Sequence, residues 1–541
     1  MKRKASASCL KFLILFSVFS LIFAACLRTE KQYDLIIRNG LVVDGSGNPW
    51  FRADLAIKNK KIAAIRDHLD QAKAKTVIEA EGLVVAPGFI DIHTHADRDL
   101  LTIPGCENYI SQGVTTLIGG NCGGHEFPLA EFLAKVEKNG IACNFGILAG
   151  HNTIRREVMG MKMDPPDPEE MARMKQLLRK ELLAGALGLS TGLAYLPGTY
   201  STTEELVELA SVVGELGGFY ASHIRNQGKK ITEAIEEAIA VGEKNRIPVV
   251  ISHIKLADED VWNEIERITS PVEAARARGV EVVMDQYPYT ATSSGFTSSL
   301  PQDVFEGGRE KFLQRLQDPE IYERVRQTII RNRLTSRRGI DKLETIYIAR
   351  SRKFPAYEGK NLKEILALLG KPATVENGAD LIIDLVKEGD VSAIFFQMDE
   401  RDVENLMKLP FVMIGSDGGL QVPGQGIPHP RSYGTFTRVL GHYVREKGII
   451  SLEEAVRKMT SLPAQTMRLK NRGMIKEGYY ADITIFNPAE VKDLATFHEP
   501  HRYSAGIACV LVNGEVVLEK GLFTGRRPGS VLRGQASEKK F

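Results

Sequence analysis

The sequence predicts an α/β protein built around a (β/α)8 barrel, the TIM barrel, with a small β-sandwich domain made from both chain ends. The middle of the chain alternates short apolar runs with amphipathic helical segments, which is typical of a parallel α/β sheet. The apolar runs number eight, and eight strands close such a barrel. The predicted strands are Phe89–His93, Thr115–Gly119, Asn144–Ala149, Ala186–Ser190, Gly218–Ser222, Pro248–Ser252, Val280–Asp285 and Phe411–Gly415.

Both chain ends have a different sequence pattern, in which short apolar runs alternate with turn residues. Near the amino end this pattern extends over residues 33–85 and includes the turn Asp44–Asn48. Near the carboxyl end it returns in Ala481–Phe486 and around Asn513-Gly514, a dipeptide that strongly favours a hairpin turn. Two β-rich ends that flank a different middle predict one small β-sandwich domain. Its two parts are residues 27–85 and 471–535.

The barrel domain is predicted to cover residues 86–470, with an insertion between strands seven and eight. The interval from about 288 to 400 is too long for a single crossover between neighbouring strands. It contains an arginine-rich helical block at about 309–338 and another apolar run at Ala393–Gln397. We therefore expect this interval to fold as an insertion on the barrel.

The composition describes an ordinary globular protein. The chain has 541 residues, of which 26% are charged, and a formal net charge of +2. It carries no dense run of lysine and arginine and no basic segment interleaved with aromatic residues, so nothing predicts nucleic-acid binding. The cysteines beyond residue 26 are irregularly spaced and too few for a disulfide framework in a chain of this length. They are Cys106, Cys122, Cys143 and Cys509.

The amino terminus has the pattern of an export signal. Three basic residues at positions 2–4 precede an apolar stretch, 12–25, that is shorter than the about 20 residues a membrane-spanning helix needs. The stretch reaches Cys26 through two alanines and resembles a bacterial lipobox, although Phe23 stands where leucine is usual. We expect residues 1–26 to form a lipoprotein-type signal peptide and Cys26 to be lipidated. The protein would then be an exported, membrane-anchored lipoprotein, on the periplasmic side or at the cell surface. Simple cleavage and secretion is the alternative.

Residues of metal-binding type follow five of the predicted strands. His93 and His95 close the first, where side-chain alternation puts both imidazoles on one face. In a TIM barrel the carboxyl ends of the strands form one rim, and active sites lie there. The other residues of this kind are Cys122 after strand two, His223 after strand five, His253 after strand six and Asp417 after strand eight.

Each of these residues has an ordinary structural explanation when it is taken alone. A single histidine after a strand is more often hydrogen-bonded beneath a loop, and a single cysteine is more often a small buried apolar residue. An aspartate before two glycines often caps a turn. Their joint placement on one rim favours a metal site instead, and a set of nitrogen, sulphur and oxygen ligands suits zinc. His151, which follows strand three, stays ambiguous.

Longer segments extend the pattern beyond single residues. They are Pro87–Asp91, Gly119–Gly123, Gly185–Leu196, Tyr220–Gln227, Ser252–Lys255, Asp285–Ser293, Pro428–His442 and Gly478–Asp482. In this context the chain resembles the D-aminoacylases, also called N-acyl-D-amino-acid deacylases, a branch of the amidohydrolase superfamily. The resemblance runs in chain order from about residue 33 to 530. It implies a barrel of the amidohydrolase type.

The resemblance also implies a site, residue by residue. Cys122 would replace the bridging lysine or glutamate of ordinary superfamily members and would hold a tightly bound zinc with His223 and His253. A second, weaker metal site would be formed by His93, His95, Cys122 and Asp417. The residues implied to line the substrate pocket are Tyr195, Lys255, Tyr287, Ser293, Met398 and Arg431.

The chemistry implied by this site is hydrolysis of an amide bond. Asp417 would accept a proton from the attacking water and pass it to the leaving nitrogen, as general base and then general acid. Lys255 and Arg431 suit a free α-carboxylate, because such an anion favours charge-assisted and preferably bidentate partners. We expect zinc-dependent hydrolysis of N-acyl-D-amino acids, or of dipeptides with a D-residue at the carboxyl end, with release of a D-amino acid.

Three alternatives remain. A cyclic amidase of the hydantoinase or dihydroorotase type shares the barrel and the paired histidines, but it would place a bridging lysine near strand four, where this chain has Leu187–Thr191. A catalytically inert, membrane-anchored binding protein could keep the fold, although retention of all six polar residues speaks against it. A structural metalloprotein would have four protein ligands and no neighbouring acid/base group.

Overall fold

The computed structural model describes residues 32–69, 72–389 and 391–538. The predicted signal segment 1–26, with Cys26, lies outside these described residues. Within the described ranges, no helix combines the length and the apolar character that crossing a bilayer requires.

The strands and helices follow the alternation that the sequence predicts. In chain order the strands are β1 (Gln32–Val42), β2 (Phe51–Lys58), β3 (Lys61–Arg66), β4 (Lys73–Glu79), β5 (Val84–Pro87), β6 (Phe89–Asp91), β7 (Val114–Gly119), β8 (Asn144–Ile147), β9 (Ala149–Gly150), β10 (Leu189–Gly192), β11 (Tyr220–His223), β12 (Val249–Ile251), β13 (Val282–Gln286), β14 (Ala291–Ser294), β15 (Ile346–Ser351), β16 (Val391–Phe396), β17 (Val412–Ile414), β18 (Ile483–Phe486), β19 (Ile507–Val512), β20 (Glu515–Glu519) and β21 (Leu522–Phe523).

Helices separate most of the central strands. The α-helices are α1 (Glu107–Ile110), α2 (Leu129–Asn139), α3 (His151–Met159), α4 (Pro168–Ala184), α5 (Thr203–Leu216), α6 (Ile231–Asn245), α7 (Glu266–Ala277), α8 (Arg309–Arg315), α9 (Pro319–Ile329), α10 (Leu362–Leu368), α11 (Val375–Glu388), α12 (Glu400–Lys408), α13 (Arg431–Arg438), α14 (Leu452–Met459) and α15 (Ser461–Thr466). Two π-helical turns, Ile330–Leu334 and Val439–Glu446, continue α9 and α13.

The small domain is one sheet drawn from both ends of the chain. Its strands follow the order β21-β20-β19-β18-β5-β1-β2-β3, with β4 also paired to β1. The antiparallel pair β18 and β5 joins the two ends, with Ile485 opposite Val85. The N–H of Ile62 donates to the carbonyl of Tyr479 at 2.9 Å, which brings the β3 edge back to the chain entering β18. The predicted sandwich therefore takes the form of a single sheet that curls around a shared apolar core.

The eight predicted central strands form the barrel. Strands β6-β7-β8 make one hydrogen-bonded group, and β9-β10-β11-β12-β13-β17 make the other, with every pair parallel. The third predicted strand joins the two groups. The N–H of Leu148 donates to the carbonyl of Gly119 at the end of β7, and the N–H of Ala149 donates to the carbonyl of Gly188 just before β10. Residues of β7 are buried throughout, as expected for parallel strands covered on both faces.

The barrel closes between its first and last strands. The N–H of Asp417 donates to the carbonyl of His93 at 2.7 Å, and the N–H of His95 donates to the carbonyl of Gly418 at 2.7 Å. These two bonds continue the strand pairing beyond β6 and β17. The closed barrel of eight strands confirms the fold class that the sequence predicts.

Some of the barrel helices begin at a side-chain cap, of which α4 has the most complete. At α4 the carboxylate of Asp167 accepts the N–H groups of Glu169 and Glu170, and the carboxylate of Glu170 accepts the N–H of Asp167. Pro168 occupies the first turn, where its missing N–H costs nothing. This reciprocal capping box fixes where the helix starts after the loop that connects it to α3.

The insertion between β13 and β17 has its own sheet and core. Strands β14, β16 and β15 pair antiparallel in that order, and helices α8 to α11 cover them. A separate apolar cluster lies inside, with Phe296, Val325, Ile382 and Phe395 among its buried members. The insertion ends at α12, which returns the chain to barrel strand eight.

Candidate metal centre

The strand ends place the predicted ligands on one rim. His93 and His95 follow β6, Cys122 follows β7, His223 is the last residue of β11, His253 follows β12 and Asp417 follows β17. All lie at the carboxyl end of the barrel, which is where TIM barrels carry their active sites. The structure brings these six side chains close together.

The thiol of Cys122 lies at the centre of the group. Its Sγ is 3.4 Å from Nε2 of His93, 3.4 Å from Nε2 of His253 and 3.6 Å from Nδ1 of His223. Three imidazole nitrogens thus point at one sulphur. On the other side of this group, Oδ1 of Asp417 is 3.6 Å from Nε2 of His93 and 3.1 Å from Nε2 of His95.

Three of these residues have a left-handed backbone. The φ angles are 54° at Cys122, 36° at His253 and 51° at Asp417. Positive φ is uncommon outside glycine, and such strain clusters at functional sites. The backbone is therefore bent to aim these side chains inward, and the surrounding barrel holds them there.

The spacing of the donor atoms fits a zinc ion. Donor atoms of His93, Cys122, His253 and Asp417 all lie within 4.8 Å of one another. Tetrahedral zinc with bonds of about 2.0 to 2.3 Å separates its ligands by about 3.5 Å, which matches the sulphur–nitrogen distances at Cys122. His223 and His95 extend the group on either side. A set of imidazole, thiolate and carboxylate donors is the chemistry that zinc prefers.

The protonation of the group also suits a metal. Burial alone raises the pKa of the Cys122 thiol, but the imidazoles of His93 and His253 outweigh it and hold that pKa well below its usual value. Burial likewise raises the pKa of Asp417, and the charges of Arg431 and His253 outweigh it, leaving that pKa well below its usual range. Both side chains therefore stay in the anionic form that binds cations.

Two further aspartates, which the sequence analysis did not assign, support the ligands. Oδ1 of Asp285 accepts the N–H of His253 at 2.9 Å and lies 3.3 Å from Nδ1 of His93. Oδ1 of Asp91 accepts the N–H groups of Ser416 at 2.9 Å and His93 at 3.2 Å. Asp285 thus faces the imidazole of His93, as carboxylates commonly do behind metal-binding histidines, and fixes the backbone at His253. Because Asp285 lies in strand seven, the strand-end rule offered a signal for it.

A cavity of about 800 Å³ opens from this group. Of the predicted pocket residues, Tyr195, Lys255, Tyr287 and Ser293 line it, together with ligands of the metal group. Met398 and Arg431 are not among the lining residues. Met398 lies behind Tyr287, whose hydroxyl is 4.0 Å from its Sδ.

Arg431 lies in the wall between the metal group and the pocket. Its Nη1 is 2.8 Å from Oδ2 of Asp417, and its Nη2 donates to the carbonyl of Ser293 at 3.4 Å. The guanidinium carbon lies 4.8 Å from the ring centroid of Tyr287. His429, which the sequence analysis passed over, accepts the N–H of Arg431 at 3.0 Å and donates from Nε2 to the carbonyl of Ala291 at 2.9 Å. The start of α13 is thereby fixed against β14.

Lys255 is the other cation of the inner pocket. Its Nζ donates to Oε1 of Gln227 at 2.9 Å and lies 3.1 Å from Nδ1 of His253. Burial lowers the pKa of Lys255 to about 7. In the described part of the chain, no carboxylate forms an ion pair with this ammonium group. Gln227 closes the segment Tyr220–Gln227 that carries the resemblance, but the sequence analysis gave it no role.

Two other buried histidines have structural partners. Nε2 of His151 is 2.7 Å from Oε1 of Glu205, which also pairs with Arg155. Nε2 of His125 is 3.3 Å from Oε2 of Glu181. His151, which the sequence left ambiguous, therefore belongs to a buried ion cluster between α3 and α5.

Comparison with known proteins agrees with this geometry. A model of the amidohydrolase family matches residues 76–518. The D-aminoacylase of Alcaligenes xylosoxydans xylosoxydans is 37% identical over 527 residues, which cover 93% of this chain and 98% of the relative. The N-acyl-D-glutamate deacylase of the same organism is 35% identical over 530 residues, which cover 94% and 98%.

A solved structure extends the similarity to the fold. It is an N-acyl-D-glutamate deacylase of Bordetella bronchiseptica, in complex with zinc and a phosphonate inhibitor that mimics the tetrahedral intermediate. It has a TM-score of 0.79 and 34% identity, covering 93% of this chain and 100% of that one. With a family model over most of its length and relatives of similar size at 35% and 37% identity, the chain belongs to the D-aminoacylase branch of the amidohydrolase family.

Proposed function

We propose that the protein hydrolyses the amide bond of N-acyl-D-amino acids, or of dipeptides that end in a D-residue, and releases a D-amino acid. The observation that carries this proposal is the convergence of three histidines on the thiol of Cys122, beside a buried carboxylate and at the inner end of a cavity. Relatives along the whole chain, a D-aminoacylase and an N-acyl-D-glutamate deacylase, support the substrate class.

The metal that this centre would hold is zinc. Cys122, His223 and His253 would hold it tightly, and His93, His95, Cys122 and Asp417 would form the weaker second site. When bound, zinc polarises a carbonyl and lowers the pKa of water toward about 7. The protein prepares for this by keeping Cys122 anionic and by placing the carboxylate of Asp285 against the imidazole of His93 and the main-chain N–H of His253.

Asp417 would move the proton. Its carboxylate faces the same space as His93 and His95 and stays ionised, so that it can accept a proton from the attacking water. It would then return the proton to the departing nitrogen, which makes the amine a good leaving group. A positioned acid/base of this kind contributes about 100- to 10,000-fold to the rate.

Lys255 and Arg431 would hold the α-carboxylate of the substrate. Both cations lie near the ring of Tyr287, at 5.3 Å for Nζ of Lys255 and 4.8 Å for the guanidinium carbon of Arg431. A carboxylate between them would gain charge-assisted hydrogen bonds from two buried cations. Fixing this end of the substrate holds the scissile bond against the metal group, in a geometry that favours attack.

The rival functions fit the site less well. A purely structural metal site has four protein ligands and no free acid/base group beside it, whereas Asp417 here opens on a large cavity. A cyclic amidase would need a bridging lysine near strand four. Strand four is β10, Leu189–Gly192, and it contains no lysine. An inert binding protein would not explain the similarity to deacylases over more than nine-tenths of the chain.

The direct test is a panel of D- and L-enantiomers of N-acetyl amino acids and of dipeptides ending in a D-residue, with zinc content measured on the same sample. We expect turnover of D-substrates, no turnover of their L-enantiomers, and about one tightly held zinc per chain. Failure to hydrolyse any acyl-D-amino acid with zinc bound would favour the inert binding protein.

We also propose that the protein is exported and tethered by a lipid at Cys26. The support is the sequence of residues 1–26, which combines a basic start, a short apolar stretch and two alanines before the cysteine. Metabolic labelling with a fatty-acid analogue should mark the wild type and leave Cys26→Ala unlabelled. Equal labelling of both would reject the anchor.

A further inference from the structure

The cavity has a second cationic wall, formed by the insertion. Arg333 lies in the π-helical turn Ile330–Leu334 and lines the same cavity as Lys255 and Tyr195. The ring of Tyr195 lies 4.5 Å, centroid to centroid, from the imidazole of His223. Tyr195 thus connects the metal group with the part of the cavity that Arg333 faces.

The guanidinium of Arg333 is held in place. Its Nε donates to Oγ of Ser299 at 3.0 Å, and its Nη1 donates to Oε1 of Gln397 at 3.1 Å. The amide of Gln397 is itself oriented, because its Nε2 donates to Oγ1 of Thr292 at 3.0 Å. The guanidinium carbon lies 4.9 Å from the ring centroid of Phe395. Within the described ranges, Nη2 has no hydrogen-bond partner.

The charge of Arg333 is not matched by a carboxylate in the described part of the chain. Four basic side chains line the cavity without being exposed, namely Arg225, Lys255, Arg333 and Lys342. Arg225 pairs with Glu237 at 2.9 Å, and Lys342 pairs with Glu259 at 3.2 Å. Among the described residues, no carboxylate pairs with either Lys255 or Arg333. Burial lowers the pKa of Arg333 below its ordinary value, which reflects the cost of an unpaired cation there.

Two unpaired cations in one cavity are suited to two anionic groups. Under the proposed function, Lys255 and Arg431 take the α-carboxylate, and Arg333 is then left for another acidic group. We propose that Arg333 forms a second anion subsite and that the preferred substrates are N-acyl-D-amino acids with a second carboxylate. That carboxylate belongs either to the D-side chain or to the acyl group. This inference rests on the proposed function.

Matched pairs of substrates test the inference and identify the source of the anion. In the side-chain arm, zinc-loaded wild-type protein is given N-acetyl-D-glutamate and its neutral counterpart N-acetyl-D-glutamine. In the acyl arm, it is given N-succinyl-D-leucine and N-butyryl-D-leucine. We expect kcat/KM to favour the charged member by at least about tenfold in one arm, as a charge-assisted hydrogen bond provides.

Variants then show whether Arg333 is responsible. Arg333→Gln should lower kcat/KM for the preferred charged substrate by about 10- to 100-fold and leave the neutral counterpart within about threefold. Arg333→Lys should recover part of the loss. The matched control is Arg331→Gln, an exposed cation on the same turn and cavity wall, which should change neither substrate by more than about threefold.

The outcomes separate the inference from the proposed function. Turnover of neutral acyl-D-amino acids without preference for charged ones in either arm would overturn the second subsite alone. Equal losses on charged and neutral substrates in Arg333→Gln would show a structural role and would also overturn it. If wild-type protein with bound zinc hydrolyses no acyl-D-amino acid, the proposed function and the inference both fall.

Discussion

The carboxylate of Asp417 and the guanidinium of Arg431 form a buried ion pair, with Nη1 2.8 Å from Oδ2. Oδ1 of the same carboxylate faces His95 at 3.1 Å. One oxygen is therefore anchored to the pocket wall while the other is directed to the metal group. Arg431 also borders the position proposed for the α-carboxylate of the substrate. Arg431 thus has two roles: it holds the acid/base group Asp417, and it is one of the proposed anchors of the substrate.

Replacing Asp417 by asparagine should remove the proton-transfer group while keeping its shape. We expect kcat to fall by about 100- to 10,000-fold, because the amide cannot accept the proton of water. The zinc held by Cys122, His223 and His253 should remain. Kinetics and metal analysis on one preparation check both points, and near-normal turnover with bound zinc would contradict the role given to Asp417.

Arg431 and Lys255 should differ in their kinetic effects. Lys255→Met removes an anchor of the α-carboxylate, so KM should rise by about 10- to 100-fold with a smaller change in kcat. Arg431→Met also frees Oδ2 of Asp417, so kcat should fall together with a rise in KM. The comparison needs full kcat and KM values on one substrate. Indistinguishable kinetics for the two variants would refute the double role of Arg431.

Cys122 should be indispensable for metal binding. Cys122→Ala removes the sulphur shared by three imidazoles, so zinc affinity should fall by more than about 100-fold, beyond the loss typical of an outer-shell partner. Cys143→Ala serves as the control, because Cys143 is a buried cysteine away from the site. Zinc titration against a chromophoric chelator measures both. Tight zinc binding in Cys122→Ala would exclude the proposed centre.

Glu259 should fasten the insertion to the barrel. Its carboxylate accepts hydrogen bonds from Oγ of Ser336 at 2.8 Å, from the N–H of Arg337 at 2.7 Å and from Nζ of Lys342 at 3.2 Å. In Glu259→Gln we expect hydrogen exchange over residues 336–342 to become about tenfold faster, since charge-assisted bonds are lost. Glu266→Gln, at an exposed position on α7, is the control. Unchanged exchange in Glu259→Gln would show that other contacts hold the insertion.

Because of Lys458, the free energy of unfolding should depend on pH in the alkaline range. Burial lowers the pKa of Lys458 to about 8, and its Nζ donates to the carbonyls of Leu409 and Val412 beside strand eight. Between pH 8 and the unfolded value of 10.5 the unfolded state binds more protons, so the unfolding free energy rises with pH. Relative to Lys458→Met, the wild type should gain about 2 kcal/mol from pH 8 to pH 10. A flat difference in denaturant titrations would contradict this.

The eight strands were predictable because each is a buried apolar run, and the histidines and Cys122 were predictable because they follow such runs. The boundaries were less predictable. Strand four was expected at Ala186–Ser190 and occurs at Leu189–Gly192. Its start is set by Gly188, which lies so close to the backbone of Phe219 that a Cβ would be 2.2 Å from that carbonyl oxygen. Such a tertiary contact has no local signal.

The supporting residues of the site were harder to find than its ligands. Asp285 lies within a predicted strand. Its supporting role depends on a contact with the imidazole of His93 and a hydrogen bond from the N–H of His253, and only the closed barrel creates these. Arg333 belongs to an arginine-rich block and has nothing local to separate it from Arg331 or Arg337. What distinguishes Arg333 is its place in the cavity wall, where no carboxylate of the residues that the structure describes forms an ion pair with it.

The seam that completes the barrel runs through the metal group itself. The last strand is attached to the first by main-chain hydrogen bonds at His93, His95 and Asp417, and the side chains of the same residues contact one another in the candidate metal centre. Zinc binding should therefore stabilise the contact between the first and last strands of the barrel. Zinc loading should therefore slow hydrogen exchange at the N–H groups of His95 and Asp417, which form this seam.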